Sequence, residues 1–373
     1  MALSKIQDIG NQVVPNLGRR NLIINGGMRI AQRSTSAVAS GNPGIHTIDR
    51  FHVWNGTDGA WTSERSTDAP EGFSNSFKAQ VTSADTSLAA GQYAQFEQKI
   101  EAQSLQHLNY GSSTAKTLTL SFHCKSNKTG TYGVCVYKED GTGGLSTMLF
   151  PVDFSISSAD TWEKKTITIG TDSTIRGAAG VINDDNGAGL RIFWNLAQGS
   201  QWQVGTNSTW STNTNHFATS NQTTNWMDST SNNFYITGVQ LEVGDTATDF
   251  EHRSFAEEFS LCQRYYQTTG GSGFTQPYAN HCVVINYSTG TDQRGVIPFT
   301  TEMRAKPSMT QVGNMTVLGL GGGLSSTNVG DGCTTHQAGI RVNTASNIST
   351  GQGALLRNNN DATAHLAFDA ELN

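Results

Sequence analysis

No stretch of this 373-residue sequence is apolar over the roughly 20 residues that a membrane-crossing helix needs. Its first residues, MALSKIQDIG, lack the charged and apolar regions of a secretory leader. No membrane insertion is therefore expected, and the chain is expected to be made and held in a cytoplasm. Charge is scarce as well. Only 14% of residues are Asp, Glu, Lys or Arg, the formal net charge is −6, and the 24 Lys and Arg form no stripe. That leaves no electrostatic footprint for nucleic acid, which is not expected as a partner.

The five cysteines (Cys124, Cys135, Cys262, Cys282 and Cys333) include no CxxC pair and no Cys/His spacing suited to zinc. Reduced, mostly buried thiols are expected, and no metal site or cofactor. Cys124 and Cys135 are close enough in sequence to face each other on neighbouring strands, but a reducing cytoplasm argues against a bridge. The chain also lacks a GxSxG elbow, an HExxH pair, a P-loop and a dinucleotide fingerprint. No internal period marks a parallel β-helix.

Paired carboxylates could serve glycan hydrolysis, and three candidates exist: Glu97/Glu101, Asp184/Asp185 and Glu257/Glu258. Each has a plainer account. Glu97 and Glu101 belong to an alternating strand, AQFEQKIEAQ, whose polar face is expected to be solvated. Asp184 and Asp185 lie in the turn NDDNG, which alone supplies too few oxygens for calcium, and Glu257 caps a helix. No catalytic residue is assigned, and the protein is expected not to be an enzyme.

What the chain has in abundance is turn chemistry, with 40 glycines and many Ser, Thr and Asn between short alternating runs. This is the pattern of an antiparallel sandwich. KTLTLSFHCK (Lys116 to Lys125) puts Leu118, Leu120, Phe122 and Cys124 on one face. Thr131 to Lys138 does the same with Tyr132, Val134 and Val136, and SNKTG between the two reads as a hairpin turn. Trp162–Ile169, Leu190–Leu196 and Phe234–Val243 complete at least five strands with almost no helix signal between them. The fold class expected is all-β: a jelly-roll β-sandwich over 21–252, a short linking helix over 253–268 and a smaller C-terminal β domain over 269–373.

Within the sandwich, residues 199–233 are rich in Ser, Thr and Asn and carry Trp202, Trp210 and Trp226. Indole faces set in a polar loop suit glycan binding, since they stack on the apolar face of a pyranose while amides and hydroxyls take its hydroxyls. The same tryptophans could instead anchor the loop to the sandwich or seal a subunit contact.

Ser254 and Glu257 have capping-box spacing, and Phe255, Phe259, Cys262 and Tyr266 then share a helix face. TTGGSGF follows as a turn. The C-terminal strands are expected near Cys282–Tyr287, Gly295–Thr300, Ser308–Val312 and His365–Asp369, with GLGGGLSSTNVGDG as a surface loop. Residues 1–20 repeat Leu3, Ile6, Ile9 and Val13 at three- and four-residue spacing, which reads either as an amphipathic segment docking on a partner or as a frayed terminus.

NLIINGGMRIAQRSTS (Asn21–Ser36), IDRF (Ile48–Phe51) and above all TGVQLEVGDTATDFEHRSFAEEFSLCQRYYQ (Thr237–Gln267) resemble the tail-fibre and related virion proteins of marine and other bacteriophages. MRAKPSMT (Met303–Thr310) and AFDAEL (Ala367–Leu372) are similar to the same group's C-terminal module, so the resemblance covers most of the chain. Phe51 stands where a tryptophan is more usual.

The resemblance implies a carbohydrate-binding-like jelly roll, then a helix, then a small β domain in a homotrimeric fibre. QLEVG and CQRYY are structural motifs in that group. The expected role is thus a virion tail fibre contacting host-surface polysaccharide and joined to other virion proteins through its N-terminus. A structural adaptor or decoration protein is the alternative, and a glycan depolymerase ranks third.

Overall fold

The computed structural model describes residues 20–41, 43–139, 147–270, 276–286, 290–318, 324–329 and 332–372. Leu3, Ile6, Ile9 and Val13 lie outside them. The first module carries β1 (Val38–Ala39), β2 (His52–Asn55), β3 (Ala60–Ser66), β4 (Ser76–Ser83), β5 (Tyr93–Glu101), β6 (Leu118–Lys125), β7 (Gly130–Lys138), β8 (Met148–Ile156), β9 (Glu163–Ile169), the one-turn α1 (Ser173–Arg176), β10 (Ala188–Gln198) and β11 (Asn233–Val243). They form two antiparallel sheets, β1-β3-β4-β11-β6-β9 and β2-β5-β10-β7-β8, packed face to face as the sandwich expected.

Period-two alternation decides which side chains meet. Leu118, Leu120, Phe122 and Cys124 of β6 and Tyr132, Val134 and Val136 of β7 all fall inside the same core, but from opposite sheets. SNKTG is therefore a crossing between sheets and not a hairpin turn. Ser126 and Asn127 tie it to Asn233 at the start of β11. Cys124 points into the core while Cys135 sits on the outer face of its own sheet, so the two thiols do not face each other. At the centre Phe96 stacks on Trp194 at 5.3 Å, and Phe77 and Phe122 close over the pair from the other sheet. Each such ring, fully buried, contributes roughly 1.5–3 kcal/mol.

The linking helix α2 (Phe255–Gln263) starts where the sequence places it, with the Ser254 hydroxyl accepting from the Glu257 N–H at 3.2 Å. Its inward face differs from the one expected. Glu258 and Cys262 are buried, whereas Phe255 is 53% exposed and stacks on Phe259. The helix ends at Gln263, and Tyr266 opens β12 (Tyr266–Thr268) instead, in keeping with the β preference of a Tyr-Tyr-Gln-Thr run.

The C-terminal module contains β13 (Asn280–Asn286), β14 (Gly290–Pro298), β15 (Ser308–Val312), β16 (Met315–Leu318), β17 (Leu324–Val329), β18 (Gln337–Ile348), β19 (Gly353–Asn358) and β20 (His365–Asp369). β12-β20-β15 form a small sheet, and β16-β19-β13-β14-β18-β17 a larger one. β17 occupies the middle of GLGGGLSSTNVGDG, which is thus partly a strand paired with β18 rather than a surface loop throughout.

Asn21–Ser36, Ile48–Phe51, Thr237–Gln267 and Ala367–Leu372 converge where the modules meet. Asn21 accepts from the Ile23 and Leu241 N–H groups and donates to the Val239 carbonyl. Asn25, in the left-handed region at φ 61°, accepts from the N–H groups of Arg29 and Ile30 and donates to the Asp49 carbonyl. Arg253 donates to the Asn21 and Ile23 carbonyls and meets Glu258. From the other end of the chain, Glu371 pairs with buried Arg50 and with Arg33, while Arg304 donates to the carbonyls of Asn186, Ala370 and Glu371.

Candidate functional site

The outer face of the β2-β5-β10-β7-β8 sheet carries the side chains that alternation turns away from the core. Register sets them in rows: Trp54 of β2 lies opposite Gln95 of β5, His52 opposite Glu97, and Arg191 of β10 opposite Tyr137 of β7. The segment 199–222 folds back over part of this face. Phe217 packs on Tyr137 and Phe193, its carbonyl accepting from the Asn195 side chain at 2.7 Å. The uncovered part is a cleft of about 190 Å³ lined by Trp54, Tyr93, Gln95, Tyr137, Trp202 and Arg191, with Phe193, Gln198 and Phe217 completing it.

Several of its walls are held by hydrogen bonds. Trp54 donates its indole N–H to Glu97 at 2.8 Å, and Trp202 donates to the Gly91 carbonyl at 2.9 Å. Trp202 meets both Tyr93 and Phe217 edge to face. Gln198 donates to Gln95 at 2.7 Å. Arg191 is clamped by Glu97 through Nε at 2.6 Å and Nη2 at 2.9 Å and lies over the Phe193 ring. Burial depresses the Arg191 pKa, and the Glu97 hydrogen bonds and charge outweigh that, leaving it above the ordinary guanidinium value. Burial holds His52, packed against Trp54 with the rings tilted by 35°, down at about 4 even against the raising effect of Glu97.

Of the three tryptophans singled out in the sequence, the structure brings only Trp202 to this cleft. Trp210 is 3% exposed, packed on Phe150 and Tyr110 with its indole N–H on the Gly170 carbonyl. Trp226 is 0% exposed and meets Trp61 edge to face. The sugar-stacking expectation is overturned for both, since a ring enclosed by core neighbours has no free face; they anchor the loop instead. Trp54, Tyr93, Tyr137, Gln95 and Arg191 were missed. The signal was present in the alternation: in HVWN (52–55), fixing Val53 inward turns His52 and Trp54 outward.

The carboxylates also differ from expectation. Glu97 and Glu101 are buried rather than on a solvated face. Glu101 takes both Arg264 and the Tyr265 hydroxyl; burial raises its pKa, and these bonds bring it below the ordinary value. Asp185 accepts from the Gly187 N–H in its turn. Among the described residues no group of three or more His, Cys, Asp or Glu is placed to hold a metal ion, and no helix is long and apolar enough to cross a membrane. Larger cavities of about 450 and 350 Å³ lie along the module junction, the first bordered by the Arg33–Glu371 pair, the second by the Arg264–Glu101 pair.

No family model matches the sequence, and no curated protein matches it. Solved structures similar in shape include a Bacteroides thetaiotaomicron protein to which sugar binding is ascribed (16% identity, TM-score 0.32, 60% of this chain and 100% of that one). A xylan-binding domain from Paenibacillus barcinonensis is 14% identical, with a TM-score of 0.29 over 60% of this chain and 99% of that one. The enzymatically active domain of a bacteriophage CBA120 tailspike is 13% identical, with a TM-score of 0.28 over 60% of this chain and 22% of that one. At such scores these likenesses add nothing to the strand pairings, on which the sandwich assignment stands.

Proposed function

We propose that the chain is a non-enzymatic glycan-binding protein of a bacteriophage virion, a tail fibre that holds host-surface polysaccharide in the cleft on the outer β2-β5-β10-β7-β8 face. The observation that carries the glycan reading is the composition of that cleft, with six aromatic side chains around two amides and a fixed guanidinium. This is the mixture that takes a molecule with apolar faces and hydroxyl edges. The virion assignment rests on the sequence resemblance. Attachment to other virion proteins through residues 1–20 belongs to the same reading.

Association of copies, as the trimer expected from the resemblance, has support on the C-terminal module. Val283 of β13 and Val296 of β14 stand beside each other there, 59% and 52% exposed, with Ile285 and Leu318 also exposed. Aliphatic side chains left in water on one sheet gain by meeting a copy. A sedimentation mass equal to one 40.0 kDa chain would exclude this for the isolated protein.

The direct test is binding of purified protein to host cells with and without their surface polysaccharide. Saturable binding lost with the polysaccharide, and weakened roughly three- to tenfold by Trp202→Ala or Trp54→Ala, supports the reading. Undiminished binding by both variants excludes the cleft.

A further inference from the structure

We infer that the cleft takes a single uncharged sugar unit, one neutral pyranose rather than a uronic acid, an amino sugar or a run of several residues. The inference rests on the glycan-binding reading above. Among the described residues Arg191 is the one charged side chain lining the cleft, and its charge is already committed. Two of its nitrogens are held by Glu97, and the third, Nη1, lies 3.6 Å from Glu139. A carboxylate on the ligand would be the third on one guanidinium and would face both of those acids. To displace Glu97 it would have to leave that fully buried carboxylate uncompensated, which is strongly unfavourable.

A cationic sugar fares no better. Glu97 already accepts from Trp54 and from two Arg191 nitrogens and is fully buried, so it presents no exposed oxygen to a ligand cation. Lys99, the next cation along the strand, donates to the Leu372 carbonyl at the module junction, away from the cleft lining. What the cleft leaves open is neutral: among the described residues the Gln95 amide nitrogen and the Tyr93 hydroxyl make no hydrogen bond, and hydroxyl groups satisfy both. Size limits the ligand further. A space of about 190 Å³ is below the roughly 300–1,000 Å³ of sites for drug-sized molecules, so the cleft encloses one ring, and any further units of a chain would lie outside its aromatic walls.

The test is calorimetric titration of the full chain with glucose, galactose, mannose and N-acetylglucosamine, the matching uronic acids, glucosamine, and neutral tetrasaccharides of the same sugars. The expected result is a neutral monosaccharide binding with a dissociation constant on the order of millimolar, at least ten times tighter than its uronic or amino counterpart. That affinity should be unchanged between roughly 50 and 500 mM salt, because no net charge is matched. Glu97→Gln should narrow the gap for the uronic acid about tenfold by releasing Arg191, and the neutral-to-uronic affinity ratio of the unaltered protein decides the matter if that variant does not fold.

A uronic acid or amino sugar binding as well as the neutral one overturns the inference while leaving glycan binding intact. So does a tetrasaccharide binding more than tenfold tighter than its monomer. If every sugar fails to bind, the proposed function falls and the inference with it.

Discussion

Single residues on the outer sheet face show how burial outweighs formal charge. His52 sits beside Glu97, yet the loss of water holds its pKa near 4 against an ordinary 6.5. The folded state therefore binds fewer protons than the unfolded chain between those values, and stability must fall as pH drops through that window. It is unaffected above about pH 7. The expected loss is on the order of 2 kcal/mol by pH 4, measured from urea midpoints across the range. His52→Gln should flatten this part of the profile; an unchanged slope would place the titrating group elsewhere.

The same scale explains why the tryptophans were only partly legible. Composition cannot distinguish an indole that closes a core from one that borders a cleft, since both sit in Ser- and Asn-rich sequence. Trp226 lies in a short helical turn against Trp61, a contact made across 165 positions of sequence that no local pattern encodes.

At the scale of elements, strands and the capped helix were legible because both arise from short-range rules. β15 and β20 fall where the alternation places them, and Ser254 caps α2 as its spacing requires. Partnerships were less legible. SNKTG has the chemistry of a hairpin turn, and only the common core of β6 and β7 makes it a crossing. The inward face of α2 was misjudged for a similar reason, because Glu258 is held inside by the Asn25 N–H and Arg253, partners more than local in one case.

Glycine usage at the N-terminal motif is positional in the same way. A Cβ on Gly26 would lie 2.1 Å from the Val239 carbonyl oxygen, whereas one on Gly27 would meet the Phe250 ring at 3.8 Å and Arg29 Cγ at 3.9 Å, both ordinary contacts. The Val239 backbone cannot retreat, since its N–H donates to the Gly26 carbonyl and its own carbonyl accepts from Asn21. Gly26→Ala is expected to cost about 1–3 kcal/mol and Gly27→Ala much less. Equal denaturation midpoints for the two variants would contradict that geometry.

For the whole molecule, the junction of the modules is where Asn21–Ser36, Ile48–Phe51, Thr237–Gln267 and Ala367–Leu372 meet. Their shared chemistry is a set of buried ion pairs and backbone clamps that bind residues 20–50 and 367–372 to the sandwich. Glu371 is the residue through which this coupling is most exposed to test. Arg50, itself at φ 75°, is 2% exposed and leans on the Tyr265 ring with Glu371 as its carboxylate partner, while Arg33 reaches Glu371 from the side. Removing that carboxylate leaves a buried guanidinium short of its counter-charge, a loss of roughly 3–5 kcal/mol, where an exposed pair would cost under about 1. Because the cost falls on the contact between modules and not within either core, Glu371→Ala should convert a single calorimetric transition into two, the earlier one belonging to the C-terminal module. Lys78→Ala, which breaks a surface pair with Glu64, should leave the single transition in place. If Glu371→Ala also melts in one step with an unchanged midpoint, the modules are joined by apolar contact alone and the paired charges serve another purpose.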